Sequence, residues 1–261
     1  MAVRPASISV PRLVLAAVVA LTLQIGTNYA NDYSDGVRGT DAERVGPVRL
    51  VGQGLATPRS VRAAALVSFA LAGAAGLVLC ALSSWWLVVP GVAAVAAGWL
   101  YTGGPRPYGY LGLGELFVFV FFGLFATVGS AFVQHSALSA LAWISAVTVG
   151  LLATALLEAN NLRDIDGDRL SAKRTLAVRL GRRRAGWLYV GSMLGAAGAV
   201  VVAAFWRPTT LLALLGFVTV LAPCRLALSD ATGSDLVALL KSTGRAQLLI
   251  GLLLALGLVL V

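Results

Sequence analysis

The sequence predicts an all-α, polytopic transmembrane helical bundle, and three observations carry that prediction. Of the 261 residues, 59% are apolar and only 12% are charged, against about 45–50% and ~25% in soluble domains. The apolar residues gather into runs of about 20, the length that crosses ~30 Å of hydrocarbon. Within those runs hydrophobicity does not alternate, as it would along the strands of a transmembrane barrel. A water-facing globule is excluded, and a transmembrane barrel is disfavoured.

Taken in order, the runs place eight spans near 12–28, 61–82, 86–101, 115–133, 138–160, 186–206, 209–228 and 243–261 of a single domain over 1–261. The connections 83–85, 134–137 and 207–208 are short and poor in charge. Those at 29–60, 102–114, 161–185 and 229–242 are longer and polar. Every Lys and Arg except Arg4, Arg12 and Arg207 falls in or beside the long connections, and so do all eleven acids. Basic residues concentrate on the cytoplasmic side of membrane proteins, so the long connections are expected to be cytoplasmic, in a multi-pass protein of a cell membrane. The net charge of +9 therefore speaks to topology and to anionic lipid or substrate, with no nucleic acid implied. Cys80 and Cys224 sit in apolar runs, and neither a disulfide framework nor a zinc site is readable. His135 is the only histidine, which excludes a histidine metal centre and a His-based triad.

Three clusters in the long connections carry the chemistry. At the end of the first span, Asn28 and Asp32 are four residues apart, as are Asn31 and Asp35; Asp41 follows. If the helix continues, each pair lies on one face. At the end of the fifth span, Asn160-Asn161-Leu162-Arg163-Asp164-Ile165-Asp166-Gly167-Asp168 repeats the pattern, with Asp164 and Asp168 on one face and Arg169, Lys173 and Arg174 following. Carboxylates at membrane-helix ends are costly and call for a functional reason. Two oxygen-rich clusters on one face suit a hard cation such as Mg²⁺, which bridges one or two carboxylates to substrate phosphates, with Lys and Arg meeting the remaining charge. The third cluster, from Tyr101 through Tyr110 to Glu115, is rich in Gly, Pro and Tyr. It reads as a structured turn, either an interfacial anchor or an aromatic cap over a substrate mouth.

Taken together, NDYSD at 31–35, YTGGPRPYGYLGLGE at 101–115 and NNLRDIDGD with KRTLAVRLG within 160–181 resemble the UbiA-type intramembrane prenyltransferases, nearest the branch that prenylates 1,4-dihydroxy-2-naphthoate. The resemblance implies that Asn31, Asp35, Asp164 and Asp168 hold Mg²⁺ on a polyprenyl diphosphate. It implies that Lys173, Arg49 and Arg174 contact the diphosphate, with Asn28, Asp32, Asp41, Asn161, Tyr101 and Glu115 in support. The implied reaction joins the allylic group to the naphthoate ring with loss of carbon dioxide, as in menaquinone synthesis. Other aromatic acceptors, 4-hydroxybenzoate or homogentisate, stay open. A membrane transporter is the alternative from another class, disfavoured because the acids lie at span ends and not at the midplane.

The family usually has nine helices, and the first of them is expected to be missing here, in keeping with Arg4 and Arg12 on the wrong face. Ala172 stands where the family usually has Gly. Glu158, in the last turn before Asn161, is expected to pair with a loop arginine, or else to serve as an extra acid in the cavity.

Overall fold

The computed structural model describes residues 8–40 and 48–260. Every regular element among them is helical: α1 Val10–Arg38, α2 Pro58–Leu82, α3 Val88–Leu100, α4 Gly114–His135, α5 Ala140–Leu170, the short α6 Leu176–Leu180, α7 Arg182–Ala203, α8 Pro208–Leu228 and α9 Leu236–Val259. Seven of these helices are long and apolar enough to cross a membrane. The eighth apolar helix, Trp85–Leu100, runs through a 3₁₀ turn into α3 and falls short of the length expected for a span. At 1.5 Å per residue it covers only about 24 Å. The chain is a multi-pass membrane protein.

Helix ends follow local chemistry. Thr57 and Ser139 cap α2 and α5 by accepting from the backbone N–H groups of Ser60 and Ala142, at 3.2 and 3.1 Å. The close of α1 is set by Gly39 at φ 73°, which lets its own N–H and that of Thr40 return to the carbonyls of Gly36 and Asp35. Both α1 and α5 run about two turns past their apolar segments, so Asn31, Asp35, Asp164 and Asp168 all ride on helix as the spacing requires.

The bundle has two cores. Ala30, Ala65 and Phe69 join α1 to α2, with Val95 and Trp99 of α3 packed against them. A larger cluster built on Leu152, Leu162, Tyr189, Met193, Leu239 and Ile250 joins α5, α7, α8 and α9. Between them α4 crosses α5, where the backbones approach so closely that a Cβ at Gly123 would strike Gly150 and one at Gly150 would strike the Phe119 ring. The segment Phe119–Val128 is wound there as a π-helix. Many large apolar side chains, among them Leu66, Leu71, Leu194, Leu215 and Leu252, point outward, as expected where lipid is the solvent.

Of the three isolated cations, Arg4 lies outside the described residues, and Arg12 and Arg207 have local partners. Arg12 donates to the carbonyls of Val133 and Leu82, at 2.9 and 2.5 Å, at the ends of α4 and α2. Arg207 donates to the carbonyl of Leu260, just beyond α9, at 3.2 Å. Both cations neutralise helix C-termini, where backbone carbonyls lack partners and the helix dipole is negative.

Candidate active site

The polar ends of α1 and α5 meet the connection between α3 and α4 on the charged face, and Asp35 is their junction. Its side chain is buried, with one oxygen accepting from the Tyr110 hydroxyl at 2.8 Å and the other paired with the Lys173 ammonium at 2.8 Å. Lys173 also lies 5.0 Å from the centre of the Tyr110 ring. One carboxylate thus ties α1 to the segment that follows α5 and to the cap over both. Burial, and then the charge of Asp35, push the Tyr110 hydroxyl well above the ordinary phenol range. The proton stays on Tyr110 and keeps pointing at Asp35.

Asn31, one turn earlier, accepts from the Thr102 hydroxyl at 2.9 Å. Arg38, one turn later, donates to the carbonyls of Thr102 and Gly104 and lies against the Tyr110 ring, 5.5 Å from its centre. The connection from 101 to 113 is therefore a structured cap, fastened to α1 at three heights. Its aromatic side is continuous: Tyr101 and Tyr108 are 5.4 Å apart, and Tyr108 stacks on Phe117 at 3.9 Å. Burial first, and then the Glu115 carboxylate, push the Tyr101 hydroxyl upward, so it too remains neutral.

On α5, Arg163 forks onto Asp164 with contacts of 2.7 and 2.8 Å and also donates to Asn160 at 2.7 Å. Asp168 accepts from Thr175 at 3.4 Å, and its carbonyl takes the Lys173 N–H at 2.8 Å. Deeper in the bundle, Asn161 donates to Glu115 at 2.9 Å, and the other Glu115 oxygen is buried without a partner among the described residues.

The remaining sequence candidates separate. Asp32 is buried, and its two oxygens accept from the N–H groups of Leu50 and Val51 at 2.8 and 3.0 Å. It holds the loop after α1 and does not face the other acids. Asn28 is exposed on α1, and Arg49 is half-buried beside that loop. Arg174 is exposed; its N–H donates to the Tyr110 carbonyl, so its backbone pins the cap. Asp41 lies outside the described residues. Glu158 does not pair with a loop arginine. It is buried between helices and accepts from Ser192 of α7 at 3.0 Å, because its place on α5 lies about 9 Å deeper than Asp164. Sequence reasoning missed Tyr110, Thr102, Arg38 and Arg163 as partners of the motif residues. Only Arg38 and Arg163 carried a signal, through their spacing from Asp35 and Asp164.

Chemically, the site offers hard oxygen donors from two helices, and two of these donors now lie against cationic side chains. Among the described residues, no three acidic, histidine or cysteine side chains gather to hold an ion alone. Such a donor set fits Mg²⁺ shared between one or two carboxylates and a phosphate ligand, and does not fit a cage made by protein alone.

Three comparisons bear on this arrangement. The family model described as the UbiA prenyltransferase family matches residues 1–240. The 1,4-dihydroxy-2-naphthoate octaprenyltransferase of Mycobacterium tuberculosis is 48% identical over 241 residues, covering 91% of this chain and 81% of the relative. Among solved structures, a UbiA homologue from Aeropyrum pernix superposes with a TM-score of 0.75 at 15% identity, over 97% of this chain and 92% of its own. One from Archaeoglobus fulgidus, bound to DMAPP and Mg²⁺, superposes with a TM-score of 0.61 at 13% identity, over 95% of this chain and 89% of its own.

Proposed function

Because the chain belongs to the UbiA prenyltransferase family, we propose that it transfers a polyprenyl group from a polyprenyl diphosphate to 1,4-dihydroxy-2-naphthoate, with loss of the ring carboxylate as carbon dioxide, in a Mg²⁺-dependent reaction. The observation that carries this reading is Asp35, held by Lys173 and Tyr110 where α1, the cap and the end of α5 converge. The name of the mycobacterial relative supports the acceptor. The ligands of the archaeal homologue support the diphosphate and the metal.

Asn31 and Asp35 would hold Mg²⁺ from one side, Asp164 and Asp168 from the other. Bound there, Mg²⁺ would offset the negative charge that grows on the departing diphosphate as the allylic C–O bond breaks. Lys173 is placed to exchange Asp35 for a diphosphate oxygen, and Arg49 and Arg174 lie on the same face to meet its remaining charge. Tyr110 keeps Asp35 in orientation throughout. Tyr101, Tyr108 and Phe117 form a wall that keeps water from an allylic cation, while the ring carbon bearing the carboxylate attacks it. The carbon–carbon bond forms, the carboxylate leaves as carbon dioxide with its electron pair returned to the ring, and the diphosphate departs. The charged connections face the cytoplasm in this reading.

Membranes carrying the chain, given a labelled polyprenyl diphosphate, Mg²⁺ and the three acceptors in competition, are expected to prenylate 1,4-dihydroxy-2-naphthoate and to stop when EDTA is added. Asp35→Ala or Asp164→Ala is expected to lower the rate by about a hundredfold or more with the protein still present in the membrane. Full activity in either variant would overturn the metal assignment. Preferred prenylation of 4-hydroxybenzoate or homogentisate would overturn the acceptor.

A further inference from the structure

A cleft of about 340 Å³ opens on the motif-bearing side of the bundle between α1, α2 and the end of α3, with Tyr33, Arg38, Arg62 and Trp99 prominent in its lining. It shares Arg38, Gly103 and Gly104 with the cap but includes none of the motif acids. Tyr33 and Val37 occupy a different face of α1 from Asn31 and Asp35, and the lining includes no acidic residue. Among the described residues, two guanidinium groups therefore stand in one cleft whose lining holds no carboxylate.

Their partners make the excess charge specific. Arg38 uses two of its N–H groups on the carbonyls of Thr102 and Gly104, and a guanidinium carries five. Arg62 is exposed and forms no hydrogen bond or ion pair among the described residues. It sits in the second turn of α2, beyond the first turn over which the helix dipole acts, so it serves no end-capping role. The helix gains nothing from an arginine there, whereas an anion in the cleft would gain from it. The other wall is aromatic, with Tyr33 and Trp99 6.4 Å apart at the end of the apolar segments. Aromatic side chains of this kind mark the headgroup level of a bilayer, and basic pockets between membrane helices receive lipid phosphates.

We propose that this cleft binds the phosphate headgroup of an anionic membrane phospholipid, with Arg62 and the unused donors of Arg38 on the phosphate and Tyr33 and Trp99 beside the glycerol and upper chains. Val37, exposed at the mouth, lies where the lipid enters. Through Arg38 the lipid would also touch the catalytic cap, because the same side chain holds Thr102 and Gly104 and lies on Tyr110. The proposal stands on the cleft alone and does not need the prenyl-transfer reading to hold.

Native mass spectrometry of the full chain in detergent tests it, with dioleoylphosphatidylglycerol and dioleoylphosphatidylcholine added in turn. One phosphatidylglycerol is expected to stay bound at concentrations where phosphatidylcholine does not. Arg62→Gln is expected to weaken its retention about fivefold, the scale set by one cation at a charged membrane surface. Val37→Trp, which blocks the mouth and leaves the charge unchanged, is expected to weaken it as well. Arg225→Gln, which removes an equal charge from an exposed arginine elsewhere on the same side of the bundle, is expected to leave it unchanged. Equal retention of the two lipids, or equal loss in the Arg62 and Arg225 variants, would overturn the site. Displacement of the lipid by inorganic phosphate at matched concentration would make it a free-phosphate site. Displacement by a polyprenyl diphosphate would make it part of the substrate site. Either result overturns the proposal as stated.

Discussion

Asp32 and Asp35 lie three residues apart on the same helix and do different work. Asp32 spends both oxygens on the backbone of Leu50 and Val51, whereas Asp35 faces Lys173 and Tyr110. Charge-assisted hydrogen bonds contribute about 1.5–3 kcal/mol each, so Asp32→Ala is expected to cost roughly 2 kcal/mol or more of local stability. The measurement is limited proteolysis between 48 and 57, which should become several-fold faster, while Asp35→Ala leaves that loop protected. Matching cleavage rates in the two variants would remove the distinction. The i,i+4 spacing of the motif was legible in the sequence because a helix has one period. Which acid meets which partner was not, because the partners lie 18, 75 and 138 residues away. Glu158 makes the same point. Its depth on α5 could be counted from Asp164, but its partner Ser192 is set by how α7 packs.

Helices were readable wherever one side chain or one run of hydrophobicity decides them. The apolar runs near 61–82 and 138–160 announce α2 and α5, and Thr57 and Ser139 then cap them in the structure. The third apolar helix stops short of a full span because the Gly-Pro segment after Leu100 turns inward to build the cap. What composition alone could not show is the crossing of α4 and α5, which depends on two glycines of different helices finding each other. Within a membrane, helices gain little from hiding apolar surface and associate through close packing, for which small residues at the crossing are needed. A valine at 123 would drive its side chain into the backbone of Gly150 and the carbonyl of Ala146. Gly123→Val should therefore separate α4 from α5 and take Glu115 away from Asn161. The expected outcome is loss of a monodisperse peak in detergent by size-exclusion chromatography. Gly129→Val, a glycine of the same helix with nothing close to its Cβ position, should keep that peak, and an equal loss from both would mean that the crossing is not the cause.

For the whole molecule, the distribution of charge and the position of the site are one fact seen twice. The motif ends of α1 and α5, the cap and the cleft beside Arg62 share one side, and most of the basic residues lie there with them. Among the described residues the opposite side keeps Arg12 and Arg207, each bonded to carbonyls at the ends of other helices. An arginine held in this way neutralises a helix end, so neither residue counts against an orientation with the long connections inside. The orientation then makes a direct prediction. With Cys80 and Cys224 replaced by alanine, Ala137→Cys would place a thiol in the exposed turn between α4 and α5. Asp230→Cys would place one in the exposed connection between α8 and α9. A membrane-impermeant maleimide applied to intact spheroplasts should label the first and spare the second until the membrane is opened. The reverse pattern would put the diphosphate site on the outer face, away from any cytoplasmic supply of polyprenyl diphosphate, and both the orientation and the reaction proposed for it would have to be given up together.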